Sequence, residues 1–68
     1  MKAFTVHDNQ AFRLRVTSHK CVSPDSLNAI EFIQESKNKN GEVDGTSTYQ
    51  FFMTDSEIST LAHGLLSN

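Results

Sequence analysis

Phe12, Leu14 and Val16 alternate strictly with Arg13, Arg15 and Thr17. In an extended strand a period of two sends the three apolar side chains to one face and the two cations to the other, a separation no helix of this spacing achieves. The chain must therefore build a sheet with one buried and one polar side. Phe4 and Val6 alternate with Thr5 and His7 in the same way, and Asp8-Asn9-Gln10 supplies turn residues between the two segments, so a hairpin is expected. Thr46 to Met53 is rich in β-branched and aromatic residues and reads as a further strand.

Leu27 to Ser36 reads two ways. As a strand, Ile30 and Phe32 share one face while Glu31, Ile33 and Glu35 share the other. As a helix, Ser23 would cap it, Pro24 would sit at the first position and Lys37 and Lys39 near the cation-preferring end. The apolar residues Leu27, Ala29, Ile30, Phe32 and Ile33 then cover more than half the helix circumference, too wide for a core-facing stripe. The strand is the preferred reading, and residues 24–36 stay open between the two. Lys37 to Gly45, with Asn40-Gly41 and Asp44-Gly45, reads as a long polar hairpin loop.

Thr54-Asp55-Ser56-Glu57 is a capping box. The threonine hydroxyl can accept from the Glu57 N–H, and the Glu57 carboxylate from the Thr54 N–H. Met53 and Ile58 stand where a hydrophobic staple needs them. Ile58, Leu61, Ala62 and Leu65 then follow at one-face helical spacing, with Gly64 marking the weak end. The expected fold is α+β, a single domain over residues 1–68. It is a four-stranded antiparallel β-meander with one C-terminal α-helix packed on one face.

Size and charge limit what such a fold can do. The chain has 68 residues, of which 37% are hydrophobic, and a formal net charge of −2. A core this small supplies about 3–5 kcal/mol, so oligomerisation, a homodimer included, or a tight partner is a natural source of stability. Mild acidity speaks against nucleic-acid binding by bulk charge. Lys2, Arg13, Arg15 and Lys20 make the first third basic, whereas seven of the eight acids lie beyond Val22. In a chain this short the two parts must pack together, so the asymmetry can serve strand pairing alone. No apolar run approaches the about 20 residues of a membrane span. MKAFTVHDN lacks the apolar stretch of a secretory signal. The single cysteine, Cys21, fits a reducing, cytoplasmic compartment.

With Phe12, Leu14, Val16, Ile30, Phe32, Tyr49, Phe51 and Met53 turned to the helix, the open face carries Arg13, Arg15, Thr17, Glu31, Ile33, Glu35, Thr48, Gln50 and Phe52. Two arginines and two glutamates on adjacent strands can pair there. Ile33 and Phe52 are left without a helix to cover them. Arg13, Arg15, Glu31, Ile33, Glu35 and Phe52 are thus the candidate partner-binding residues, aromatic and aliphatic anchors among Arg and Glu. The plainer alternative is a solvated face with weak ion pairs and scattered apolar residues. If the helix packs only along Ile58, Leu61 and Leu65, Leu66 is also free to meet a second copy.

Catalytic and ligand motifs are sparse. His19-x-Cys21 offers at most two metal ligands, with no second paired motif among His7 and His63. Cys21 with His19 or His7 is a conceivable nucleophile–base pair, but a sheet with one helix has little room for a cleft. No glycine stands in a phosphate-binding arrangement. Glu42 and Asp44 beside Asn38 and Asn40 lack a calcium-loop ladder. No cofactor, metal site or enzymatic activity is expected.

The order of elements from Phe4 to Leu65, with the polar hairpin Lys39-Asn40-Gly41-Glu42-Val43 followed by a strand and Met53-Thr54 opening the helix, resembles the small transcriptional-coactivator family. That family binds single-stranded DNA through a curved four-stranded sheet with a C-terminal helix. The resemblance implies this topology and a homodimer formed by helix and sheet, with basic and aromatic sheet residues holding the strand. The chain departs from the pattern where its hairpin turns acidic beyond Gly41 and where Glu31 and Glu35 stand beside Arg13 and Arg15. Phosphates would meet like charge there. The resemblance therefore supports topology and dimerisation rather than DNA binding, and transfers no site residue.

The function expected from the residues is that of a non-enzymatic protein-interaction module. Its size suggests a small regulator or inhibitor of phage or mobile-element type acting on a larger protein. The alternative is a single-stranded nucleic-acid binder using Arg13, Arg15, Lys20, Phe52 and Tyr49 on the open sheet.

Overall fold

The computed structural model describes residues 2–67. Strand β1 (Lys2–Asp8) turns at Asn9, whose side-chain Oδ1 accepts from the Ala11 N–H at 2.9 Å and the Phe12 N–H at 2.8 Å. These bonds start β2 (Phe12–Lys20) antiparallel to β1. A bulge at Val6 places two residues of β1 against one of β2.

Residues 24–36 resolve as turn and strand. β3 (Leu27–Lys37) is an eleven-residue strand paired along its length with β2 and with β4 (Val43–Thr54). The helical start at Ser23-Pro24 loses because two neighbouring strands supply β3 with complete backbone pairing on both sides. The loop after β3 is shorter than expected. Asn38 Oδ1 accepts from the N–H groups of Asn40 and Glu42, and Gly41 takes a φ of +80°, which reverses the chain within residues 38–42. Val43, Asp44 and Gly45 belong to β4.

The four strands form one open antiparallel sheet in the order β1-β2-β3-β4. Helix α1 (Asp55–Leu66) follows Thr54 with no intervening loop. The capping box closes as expected: the Glu57 N–H donates to Thr54 Oγ1 at 3.2 Å, and the Thr54 N–H donates to Glu57 Oε1 at 2.9 Å. Gly64 does not end the helix, which runs on to Leu66.

The α+β meander with its C-terminal helix is thus as the periodicities predict, but the layer formed by the helix is incomplete. The helix stands on the apolar side of the sheet and buries none of its own residues. A strand that passes directly into a helix has no connecting residues through which to fold the helix back onto the sheet. Val16, Ala29 and Ile30 are the buried apolar residues, all on the two central strands, and no described side chain is fully enclosed. The molecule is a plate of 42 × 33 × 15 Å.

Candidate functional site

The register sorts the side chains onto two surfaces. On one, Phe4, Val16, Phe32 and Tyr49 stand in a row across β1 to β4, with Phe12, Leu14, Ile30, Phe51 and Met53 around them. Val6, two residues on from Phe4, joins them on the same side. Phe32 and Phe51 meet edge to face, with ring centroids 5.9 Å apart. Ile58, Leu61, Ala62 and Leu65 form the opposing wall. Between wall and sheet lies an open groove of about 590 Å³. Its charged lining side chains are Lys2 and Asp55. Leu65 and Leu66 are 69% and 85% exposed, so the wall is itself unfinished.

Asn28 holds the junction of sheet and helix. It is buried, and its Nδ2 donates to the Met53 carbonyl at 3.0 Å and to Asp55 Oδ1 at 2.8 Å. Lys20 Nζ donates to the same Asp55 oxygen at 3.0 Å. The Asn28 hydrogen bond, with Lys20 behind it, lowers the Asp55 pKa from its ordinary value. These contacts tie the helix start to β2 and β3. Nothing in the sequence singles out Asn28; its role depends on lying opposite Met53, one residue from the helix cap.

The other surface carries the six candidate partner-binding residues, Arg13, Arg15, Glu31, Ile33, Glu35 and Phe52, whereas Tyr49 and Lys20, named for the nucleic-acid reading, lie in register with the apolar side. Arg13 lies opposite Glu35, and its Nε and Nη2 donate to the two Glu35 oxygens at 2.8 and 3.1 Å. Arg15 Nε donates to Glu35 Oε1 at 3.1 Å. The Glu35 side chain is only 9% exposed, and the Arg13 hydrogen bonds are the main cause that lowers its pKa, with Arg15 adding to them. The same pairing raises the Arg13 pKa. Asp8 lies opposite Arg13 on β1 and pairs with Lys37, whose hydrogen bond lowers the Asp8 pKa. Glu31 stands between Thr17 and Gln50 and makes no salt bridge among the described residues.

The structure gathers Arg13, Arg15 and Glu35 into one cluster and keeps the two apolar anchors apart. Ile33 pairs with Thr48, whereas Phe52 pairs with Ala29, four residues further along each strand. At a rise of about 3.3 Å per residue that separation is roughly 13 Å. Phe52 is 57% exposed. Alternation alone puts both residues on this face; their spacing along it is set by the strand register. His19, at the opposite end of β2 from the arginines, has a buried Nδ1 without a partner, and Cys21 lies beyond the strand end. No group of three or more potential metal ligands forms among the described residues. No described helix is long and apolar enough to cross a membrane.

No protein-family model matches the chain, and searches of curated proteins and of solved structures return no match.

Proposed function

We propose that the chain is a non-enzymatic protein-interaction module, a small regulator or inhibitor that acts by binding a larger protein. The observation that carries this reading is the apolar surface left open between helix and sheet. The chain exposes 5171 Å², about 900 Å² more than a compact monomer of its mass. Phe4, Phe12, Tyr49, Phe51, Leu61 and Leu65 are all exposed on this side of the molecule. Contiguous apolar surface on this scale marks a site for another polypeptide. The groove offers little for chemistry: of its two charged lining residues, Asp55 is committed to Asn28 and Lys20. On the opposite face, Phe52 and Ile33 with Arg13, Arg15 and Glu31 provide a second contact surface turned outward, with the buried Glu35 holding the two arginines in place.

The alternative reading, a single-stranded nucleic-acid binder, draws on the exposed aromatics and on Arg13, Arg15 and Lys20. It is the weaker of the two because these three cations are already paired with Glu35 and Asp55, and neutralisation of phosphate dominates such binding. Affinity capture from lysate with and without nuclease separates the readings. A protein that survives nuclease, and is lost with the Phe52→Ala/Arg15→Glu double variant or with Leu65→Glu, is the expected result. Capture that disappears with nuclease, or oligonucleotide binding that weakens steeply with salt, would replace this reading with the nucleic-acid one.

A further inference from the structure

We infer that the outer edge of β4 takes up an extended segment of the partner protein, added to the sheet as a further strand in which apolar residues alternate with Lys or Arg. This rests on the reading of the chain as a protein-binding module and names part of what it binds.

The first argument is the backbone. β4 lies at the edge of the sheet and pairs with β3 from Gly45 to Thr54 without a break in register. In a strand paired on one side, alternate N–H and C=O groups point outward, and each needs a partner or water. Among the described residues, the backbone of residues 45–52 makes no hydrogen bond beyond its pairing with β3; the first further ones are at Met53 and Thr54. Sheet edges are ordinarily blunted by short length, lysine, proline or a bulge. β1, the other edge, has seven residues, Lys2 and the bulge at Val6. β4 has twelve residues, none of them lysine, arginine or proline, and every residue from Val43 to Phe52 is exposed. An edge this long and open is a template for another strand.

The second argument is what flanks that edge on the apolar side. Tyr49 and Phe51 are 55% and 48% exposed. Among the described residues, the groove under the helix takes only Met53 from β4, so these two rings lie uncovered at the margin of the sheet. Residues opposite each other on neighbouring strands stand about 4.5–5.5 Å apart. Every second residue of an added strand therefore rests against these rings, and those positions call for apolar side chains.

The third argument is charge. Glu31, Glu42 and Asp44 border β4 and make no salt bridge among the described residues. Glu31 lies opposite Gln50, on the face away from the helix. Lys37, opposite Val43, is taken by Asp8, and Glu35, opposite Thr46, by the two arginines. The charge left along this edge is acidic. The remaining positions of the added strand, which share the face of Glu31, are complemented by Lys or Arg.

Amide hydrogen exchange of the full chain, read residue by residue by NMR, tests this with a synthetic peptide of about nine alternating Lys and Val residues, an ordinary strand length. Exchange should slow at every second amide between Gly45 and Phe52, about tenfold when the peptide stands at about nine times its Kd. A peptide with proline at its centre and one with Glu in place of Lys should protect nothing. Thr48→Lys, which blunts the edge and repels the peptide, should abolish the protection with the circular dichroism kept. Thr48→Glu and Leu65→Glu should keep it. Absence of protection along β4, or equal protection by the proline or Glu peptide, overturns the inference. So does period-two protection that the concentrated chain shows without peptide, because the occupant is then a second copy. If the edge stays unprotected while a nuclease-resistant protein is still captured and lost with Leu65→Glu, only the edge assignment is wrong. If no captured protein survives nuclease either, the reading as a protein-binding module falls with it.

Discussion

Glu35 is the residue on which the polar face depends. It takes three hydrogen bonds from two arginines on the neighbouring strand. Its charged form is favoured in the folded chain, as are those of Asp8 and Asp55, so all three carboxylates have lowered pKa values. A lowered folded-state pKa adds stability that is complete above the unfolded value and is lost as pH falls through the folded one. Stability should therefore hold through neutral pH and decline as pH drops below the ordinary carboxylate values, 4.5 for Glu35 and 3.8 for both aspartates. Urea midpoints measured against pH check this. Glu35→Gln should lower the midpoint at neutral pH and make the acid decline shallower. Asn28→Ala removes the side-chain donor to the Met53 carbonyl and leaves Asp55 with Lys20 as its side-chain donor, and should cost about 1–3 kcal/mol in urea unfolding. Of these two residues, Glu35 was legible from alternation with Arg13 and Arg15 across a hairpin. Asn28 was not, because a single asparagine in a strand carries no signal until the register sets it beside the helix cap.

Among the elements, the helix is the best specified locally and the least well packed. Its cap closes by bonds within one turn, which residues 54–57 supply regardless of the rest of the chain. Thr54→Ala should cost about 1 kcal/mol, read as a lowered melting temperature with reduced helix signal. The two glycines near the β3–β4 hairpin should respond differently. Gly41 has a left-handed backbone, so Gly41→Ala should cost about 1–2 kcal/mol although its Cβ meets open space. At Gly45 the conformation is ordinary, but an added Cβ would come within 2.7 Å of Ser36 Oγ. That hydroxyl donates to Asp44 at 2.9 Å, so Gly45→Ala should break this one bond and destabilise less than Gly41→Ala. Paired urea melts of the two variants give the order. The extent of the loop was misjudged from sequence because Val43-Asp44-Gly45 is polar and glycine-bearing in isolation. It extends only because Lys37 and Ser36 of β3 are there to pair with Val43 and Gly45.

At the scale of the molecule, the surface balance dominates. Most of β1 and β4 and nearly all of the helix are exposed, and burial is concentrated on β2 and β3. A polypeptide that covers the open groove of the folded chain stabilises it by mass action. The melting temperature should therefore rise when the captured partner is added to the wild type and stay constant for Leu65→Glu; scanning calorimetry over a partner titration measures both.

The elements and their two-sidedness are local properties of the chain. Period-two alternation, turn residues and the capping box are local signals, each confined to a few neighbouring residues, and they name the meander, the helix and the residues of each face. How those faces are used follows from long-range pairing and packing. Strand register separates Ile33 from Phe52 and joins both arginines to one glutamate. The direct passage from β4 into the helix holds the helix off the sheet. Both outcomes depend on contacts between residues far apart in the chain. A hydrophobic pattern shows which side of a strand needs covering, but not whether the same chain has enough structure to cover it.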